Sequence, residues 1–545
     1  MLAFALLQSH LGRSVEICPV AERRTEPMIN LRTSNFARSS LAAAALLLGA
    51  AAPAAALDCA ALKQQTLGWN EASVTDATVV AASEAQPEHC LVTVQMNDST
   101  LRFEMRLPTE GWNNKLVFLG GGGFRGAIFP PTLPFFSASV RSDRYASMAT
   151  NGGYDYPKRD AGYFQANFAY DPVKLADFTY LSEHRSLPFG KELIRKFYGA
   201  APSKSYFEGC SSGGHDAMML SQRYPNDFDG IVARSPAGNF IGLHMQFNRI
   251  AKAVRNPAGT LNPAKQTLLA NAVLEACDKL DGVADGIISK PAACTFDPVA
   301  LRCPGGSDTG DACLSDTQIA TVKTVTSPVA TADGAWSHPG YNFGAENTAK
   351  GWGEYIWPSA SFMGGDSLQG VFSDGFVRSF VTRDANFDPG TWDPNQWRAS
   401  LSLIGSMYQA FNPDLSALKA HGAKMIMLNG TTDTSVSPRD TARYYDQVVR
   451  KLGQAEADQF LELFLAPGVG HCFGGVGPDQ VDLLKALSTW VENGTPPSRQ
   501  ELRLTKIDAN QKVTMTRPMC KHPAYPRYKG TGDINDATNF ACSTE

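Results

Sequence analysis

The stretch SYFEGCSSGGHDAMML, residues 205–220, constrains the fold of this chain more than any other. An apolar, strand-like run ends at Gly209 and a helix-like run begins soon after Gly214. Between them stands the Gly-x-Ser-x-Gly pentapeptide Gly209-Cys210-Ser211-Ser212-Gly213. A strand that turns this sharply into a helix exposes the hydroxyl of the central serine, and small neighbours are needed because the turn is strained and backbones come close. Ser211 is therefore a candidate nucleophile; the alternative is a serine that merely caps the helix.

The segments around the elbow alternate between the two regular periods. KLVFLG (115–120), SYFEGC (205–210) and GIVARSP (230–236) predict buried strands, with helices over KELIRKFYG (191–199) and HDAMMLSQRY (215–224). The pattern resumes with strand KMIMLNG (424–430), helix TARYYDQVVRKLG, strand FLELFLAP (460–467) and helix VDLLKALSTWVENG. Such alternation predicts an α/β fold with a mostly parallel sheet covered on both faces. The interval 237–412 is rich in Gly, Pro, Asp, Trp and Phe and shows little strand periodicity. A structureless loop of that length is foreign to a compact domain, so the interval predicts an inserted lid over the strand ends, with the catalytic domain formed by 57–236 and 413–545.

A serine nucleophile needs a base and an orienting carboxylate, which in this fold class follow it in the order Asp, then His, on later strand-end loops. MIMLNGTTDTSVSP presents Asp433 after one strand, and LFLAPGVGHCFGG presents His471 after another. A turn or capping role for Asp433 and a packed loop role for His471 are the alternatives. Backbone N–H donors for an oxyanion are expected from Ser212 and from the glycine loop of KLVFLGGGGFRG, at Gly122 and Gly123. That loop lacks the Gly-Lys-Ser/Thr ending of a phosphate-binding loop. His215 lies along the helix beyond the elbow and reads as structural.

The N-terminus carries an address. From Met28, arginines precede a short apolar run and small residues ending in Ala54-Ala55-Ala56, the order of a cleaved secretory signal, so 1–56 reads as a leader and the mature chain begins near Leu57 without a membrane anchor. An alanine-rich buried helix is the alternative. Export, to the periplasm or outside the cell, changes how the cysteines are read. Of eleven, ten follow the leader, an even number that suggests disulfides in an oxidising compartment, and no Cys-x-x-Cys pair points to zinc or redox chemistry. If Ser211 and His471 meet, Cys210 and Cys472 share their neighbourhood and lie within reach of a disulfide. Cys210 as the nucleophile itself conflicts with an elbow that exposes the third residue of the pentapeptide. A net charge of -4 offers no basic surface for nucleic acid or acidic lipid.

CDKLDGVADGIIS (277–289) crowds Asp278, Asp281 and Asp285 around a glycine-containing turn. Carboxylates at that density repel unless a cation sits among them, and Ca²⁺ suits an oxygen set completed by the carbonyls of Val283 and Ile287. The spacing is not that of an EF-hand loop, and a solvated acidic turn is the alternative.

GCSSGG, GTTDTSV, PGVGHCFGG, WVENGTPP and the terminal YKGTGDINDATNFAC together give the chain, from about Leu57 to its end, a clear resemblance to the tannase and feruloyl esterase family. The resemblance implies an α/β-hydrolase fold with a lid, catalytic roles for Ser211, Asp433 and His471, and a structural lid calcium at Asp278, Asp281, Val283, Asp285 and Ile287. It implies disulfides Cys210–Cys472, Cys59–Cys90, Cys277–Cys294, Cys303–Cys313 and Cys520–Cys542. It also implies small aromatic ester substrates of hydroxycinnamoyl, galloyl or terephthalate monoester type. Lid aromatics able to line such a pocket are Trp352, Trp357, Phe362, Phe372, Phe376 and Phe380; Ser435 and Val436 are expected at the acyl pocket, and Arg378 is a candidate partner for a free carboxylate. Where family members often have Arg after the double glycine, this chain has His215. An acyltransferase using the same triad and a non-catalytic carbohydrate-binding protein are the rival functions.

Overall fold

The computed structural model describes residues 58–64, 70–156, 166–359 and 365–545; the expected leader, the start of the mature chain and Phe362 lie outside them. In chain order the main strands are β1 (Ala72–Val80), β2 (His89–Met96), β3 (Arg102–Pro108), β4 (Lys115–Leu119), β5 (Ala146–Thr150), β6 (Lys204–Cys210), β7 (Gly230–Arg234), β8 (Lys424–Gly430) and β9 (Leu461–Ala466). They form one nine-stranded sheet in the order β1-β2-β3-β5-β4-β6-β7-β8-β9. Pairings from β5 to β9 are parallel; those of β1 with β2, β2 with β3 and β3 with β5 are antiparallel. The sheet is thus mixed and mostly parallel, as the alternation of apolar runs implies.

The period of two in each strand sorts its side chains onto two faces. Phe118, Phe207, Ile231, Met425, Met427 and Leu463 face one core; Val117, Leu119, Val232, Ile426, Leu428 and Phe464 face the other. The first core is closed by helices α1 (Ser182–Tyr198) and α2 (Ser212–Arg223), through residues such as Leu193, Ile194, Met218 and Leu220. Segment 237–412 adds α3 (Phe240–Val254) and α4 (Leu368–Gly375), with further short helices and turns, and contributes most of two further apolar clusters, one of which it shares with Phe124, Phe168 and Phe178 and the other with Val436. α5 (Pro438–Leu452) joins the first face through Tyr444 and Val448, and α6 (Leu483–Asn493) closes the second through Leu483, Leu487 and Trp490.

This arrangement brings the carboxyl ends of β4, β6, β8 and β9 to one edge, where open α/β sheets place their sites. The glycine loop, Ser211, Asp433 and His471 each follow one of those ends.

His215 settles into the packing beneath the elbow. Its Nε2 lies 2.9 Å from the Tyr408 carbonyl oxygen and its ring packs on that tyrosine at 3.9 Å between centroids. A carbonyl only accepts, so Nε2 carries the proton. Burial pushes the pKa of this histidine from 6.5 down to about 3. The folded protein therefore keeps it neutral while the unfolded chain protonates it below about pH 6.5, so stability tied to His215 is full above that pH and lost as pH falls toward 3. Replacing His215 by Gln should reduce the acid loss of stability by up to about 1.4 kcal/mol per pH unit in that window. Urea unfolding midpoints of both proteins at pH 7 and pH 5 check this; identical pH slopes would show that His215 contributes nothing to it.

Candidate active site

The elbow is strained in the way its sequence implies. Ser211 has φ 63° and ψ -117°, outside the regions an L-residue ordinarily adopts. Hydrogen bonds on both sides pin it: its N–H donates to the Arg234 carbonyl at 3.1 Å, and its carbonyl accepts from Ala237 N–H at 3.2 Å. Gly213 has no room for a side chain, since a Cβ there would lie 2.7 Å from the Gly121 carbonyl oxygen. That close approach lets Gly213 N–H donate to Gly121 at 2.9 Å, while Ser212 Oγ donates to the Gly123 carbonyl at 2.5 Å. The glycine loop and the elbow are thereby one hydrogen-bonded unit.

Arg125 braces this unit from below. It has φ 59° and is 1% exposed, with its guanidinium donating to Asp216 on α2 and, at 3.0 and 3.2 Å, to Ser182 Oγ and Glu183 Oε1 at the start of α1. Burial raises the pKa of Asp216 to about 7 against the pull of Arg125, as expected where two buried carboxylates share one guanidinium. A buried charge with a missing partner is costly, so the cluster fixes the glycine loop relative to α1 and α2.

On the facing loops, His471 Nδ1 lies 2.9 Å from Asp433 Oδ2. The other carboxylate oxygen, Oδ1, accepts from Ser435 N–H and Val436 N–H, each at 2.8 Å. Asp433 is therefore held by three donors and cannot swing away from the imidazole. Its acceptance at Nδ1 makes that nitrogen the protonated one, leaving Nε2 with a lone pair.

A cavity of about 200 Å³ collects these groups: Ser211, Ser212, Gly122, Gly123, His471 and Ser435 all line it. Its wall is otherwise mainly aromatic and aliphatic, with Phe124, Phe240, Leu243, Phe247, Leu368 and Phe372. Sequence reasoning named Phe372 among these but missed the α3 face, whose apolar spacing looks the same in a core helix. The remaining candidates lie elsewhere. Trp352, Trp357 and Val436 belong to an apolar cluster of the 237–412 segment, and Phe376 and Phe380 to the cluster behind the cavity wall. Val436, like Ser435, acts on Asp433 through its backbone. Arg378 lines a separate cleft with Asp366 and Asp374, with its Nε donating to the Phe387 carbonyl at 3.0 Å.

The structure contains all five disulfides that the family resemblance implies: Cys59–Cys90, Cys210–Cys472, Cys277–Cys294, Cys303–Cys313 and Cys520–Cys542. Cys210–Cys472 bridges Cα atoms 5.9 Å apart across a separation of 262 residues, joining the residues beside Ser211 and His471.

At the acidic turn, Asp278 and Asp281 are buried, and Asp278 Oδ1 has no hydrogen-bond partner. Burial raises the pKa of Asp281 to about 6. An orphaned carboxylate oxygen and a desolvated neighbour fit a cation. Asp285 is partly satisfied, because Arg517 donates to its Oδ2. Among the described residues no three His, Cys, Asp or Glu side chains already form a metal-binding group, so a cation here would rely on backbone carbonyls for part of its shell.

A family description, "Tannase and feruloyl esterase", matches residues 88–543. The chain is 32% identical to mono(2-hydroxyethyl) terephthalate hydrolase of Piscinibacter sakaiensis, covering 89% of each sequence. It is 30% identical to feruloyl esterase B of Aspergillus niger, over 87% of this chain and 91% of that protein. Among solved structures, feruloyl esterase B from Aspergillus oryzae superposes with a TM-score of 0.76 at 26% identity, covering 89% of this chain and 99% of that one.

Replacing both Cys210 and Cys472 by Ala should lower stability by roughly 2–5 kcal/mol, the usual range for a native disulfide. Because the bridge holds the two candidate loops together, activity should fall more than the unfolded fraction accounts for. Denaturant unfolding and kcat measured well below the transition check both; full kcat in the folded variant would show that the loops hold without the bridge.

Proposed function

Because this chain belongs to the tannase and feruloyl esterase family, we propose that it is an exported serine carboxylesterase that hydrolyses esters of aromatic acids through an acyl-enzyme. The observation that carries this reading is the strained, half-buried Ser211 sharing one cavity with a histidine that is oriented by a carboxylate.

In the proposed mechanism His471 Nε2 takes the Ser211 Oγ proton as Oγ attacks the ester carbonyl carbon. The oxygen of the tetrahedral intermediate is held by backbone N–H groups of Ser212 and of Gly122 or Gly123. Collapse breaks the bond to the alkoxy oxygen, which leaves with the proton from His471 as an alcohol. Water, deprotonated by the same histidine, then attacks the acyl-enzyme and releases the aromatic acid. Asp433 keeps the Nδ1–H tautomer and stabilises the imidazolium formed at each transfer.

The five disulfides suit an oxidising compartment and support export. No helix among the described residues is long and apolar enough to cross a membrane. A structural Ca²⁺ is proposed at Asp278, Asp281 and Asp285 with the Val283 and Ile287 carbonyls; when bound it would neutralise these carboxylates, none of which lines the cavity, and take no part in the reaction.

Ser211→Ala should abolish turnover of hydroxycinnamoyl, galloyl and terephthalate-type esters by purified protein, while leaving its melting temperature near that of the wild type. Retained hydrolysis would rule out the proposed nucleophile. For the metal, elemental analysis should find about one Ca²⁺ per chain, and chelation should lower the melting temperature by about 1–2 degrees, what losing about 1–2 kcal/mol does in a chain this long. Asp278→Asn should abolish both the bound metal and the chelator effect. Metal-free protein that melts unchanged in chelator would reject the site.

A further inference from the structure

Helix α3 presents Phe240, Leu243, His244 and Phe247 to the cavity, the i, i+3, i+4, i+7 face of a helix. The proposed hydrolysis leaves His244, the one polar member of this face, without a task. Its ring is 2% exposed, stacked on Phe376 at 4.4 Å and set edge-on to Phe240 at 4.3 Å between centroids. Nδ1 lies 2.9 Å from the Phe240 carbonyl oxygen, one turn back on the same helix. Since that oxygen only accepts, Nδ1 carries the proton and Nε2 presents a lone pair. Nε2 is buried and has no hydrogen-bond partner among the described residues. Burial pushes the pKa of this group down to about 3, so it stays a neutral acceptor throughout the neutral range.

A buried acceptor without a donor is unfavourable, and a ligand that supplies the donor gains what the empty site lacks. Resting on the esterase reading above, we propose that His244 is a specificity-determining residue: its Nε2 accepts a hydrogen bond from a phenolic hydroxyl on the acyl ring, selecting hydroxylated aryl-acid esters. The apolar wall of Phe124, Phe240, Phe247 and Phe372 accommodates an aromatic ring, and the hydroxyl supplies the one donor such a ring can bring. A terephthalate monoester brings a carboxylate instead. Its lone pairs would oppose Nε2, and among the described residues no Lys or Arg lines the cavity. Arg378, the residue expected to meet such a carboxylate, faces another cleft.

The test compares kcat/KM for methyl 4-hydroxycinnamate and methyl cinnamate, which differ only in the ring hydroxyl, in wild type, His244→Leu and His244→Gln. Wild type should favour the hydroxylated ester by at least about tenfold, because a site built around a hydroxyl leaves its own acceptor unpaired when the hydroxyl is missing. His244→Leu should bring the ratio close to one. His244→Gln, whose amide oxygen can accept, should restore part of it. A wild-type ratio near one, or an unchanged ratio in His244→Leu, overturns the inference. Calorimetric binding of the same two esters to Ser211→Ala protein gives a second reading that leaves position 244 intact, and equal affinities overturn the inference there too. If the wild type hydrolyses no ester, the esterase reading falls, and the binding comparison still decides the role of His244.

Discussion

The backbone at Ser211 is the constraint around which the carboxyl edge of the sheet is organised. A residue at φ 63° and ψ -117° stores on the order of 1–3 kcal/mol and keeps that conformation only where its surroundings leave no alternative. Here the surroundings are β7, which takes its N–H, the start of the following segment, which donates to its carbonyl, and a glycine loop packed too tightly against Gly213 for any side chain. Held in this way, Ser211 lines the cavity. The same contacts that hold the strain also place the glycine loop beside the serine.

Two further ties make that geometry independent of loop flexibility. The Arg125 cluster fixes the glycine loop to α1 and α2 from inside the protein, and the Cys210–Cys472 bridge fixes the elbow to the histidine loop across 262 residues of sequence. Electrostatics in a dry interior do the first task and a covalent bond the second. Asp433, saturated by two backbone N–H groups and His471, completes the set. Each loop at the sheet edge is thus held by a partner from another strand end, which suits groups that must meet one substrate without rearranging.

What was legible in the sequence follows from where the physics is local. β4, β6, β7, β8 and β9 are buried along nearly their whole length, so each reads as a continuous apolar run, and their predicted bounds agree with the structure to within a residue or two. The antiparallel strands β2 and β3 escaped that reading because one face is only half-buried: RFEMRLP alternates Arg102, Glu104 and Arg106 with apolar residues and never forms a run. The signal was present at a period of two, with the turn Asn97-Asp98-Ser99-Thr100 between the strands. Pairing depends on which loops meet in space, so only Cys210–Cys472 was within reach of the residues themselves, through the expected meeting of Ser211 and His471; the family resemblance supplied the other four.

The cavity wall was the least legible part. Trp352, Trp357, Phe372, Phe376 and Phe380 are alike in composition, yet only Phe372 reaches the cavity, because the difference between a wall and the core behind it is set by how helices rotate about their axes. The α3 sequence FIGLHMQF gives no such rotation by itself. What distinguishes His244 is an imbalance visible only after folding: an imidazole whose one donor is consumed by its own helix and whose one acceptor is left among phenylalanines. Polar groups buried at a structural core normally find partners within the fold. On the reading proposed above, one that lacks a partner in the cavity shared with Ser211 has its requirement met from outside the chain, by the acyl group of the ester.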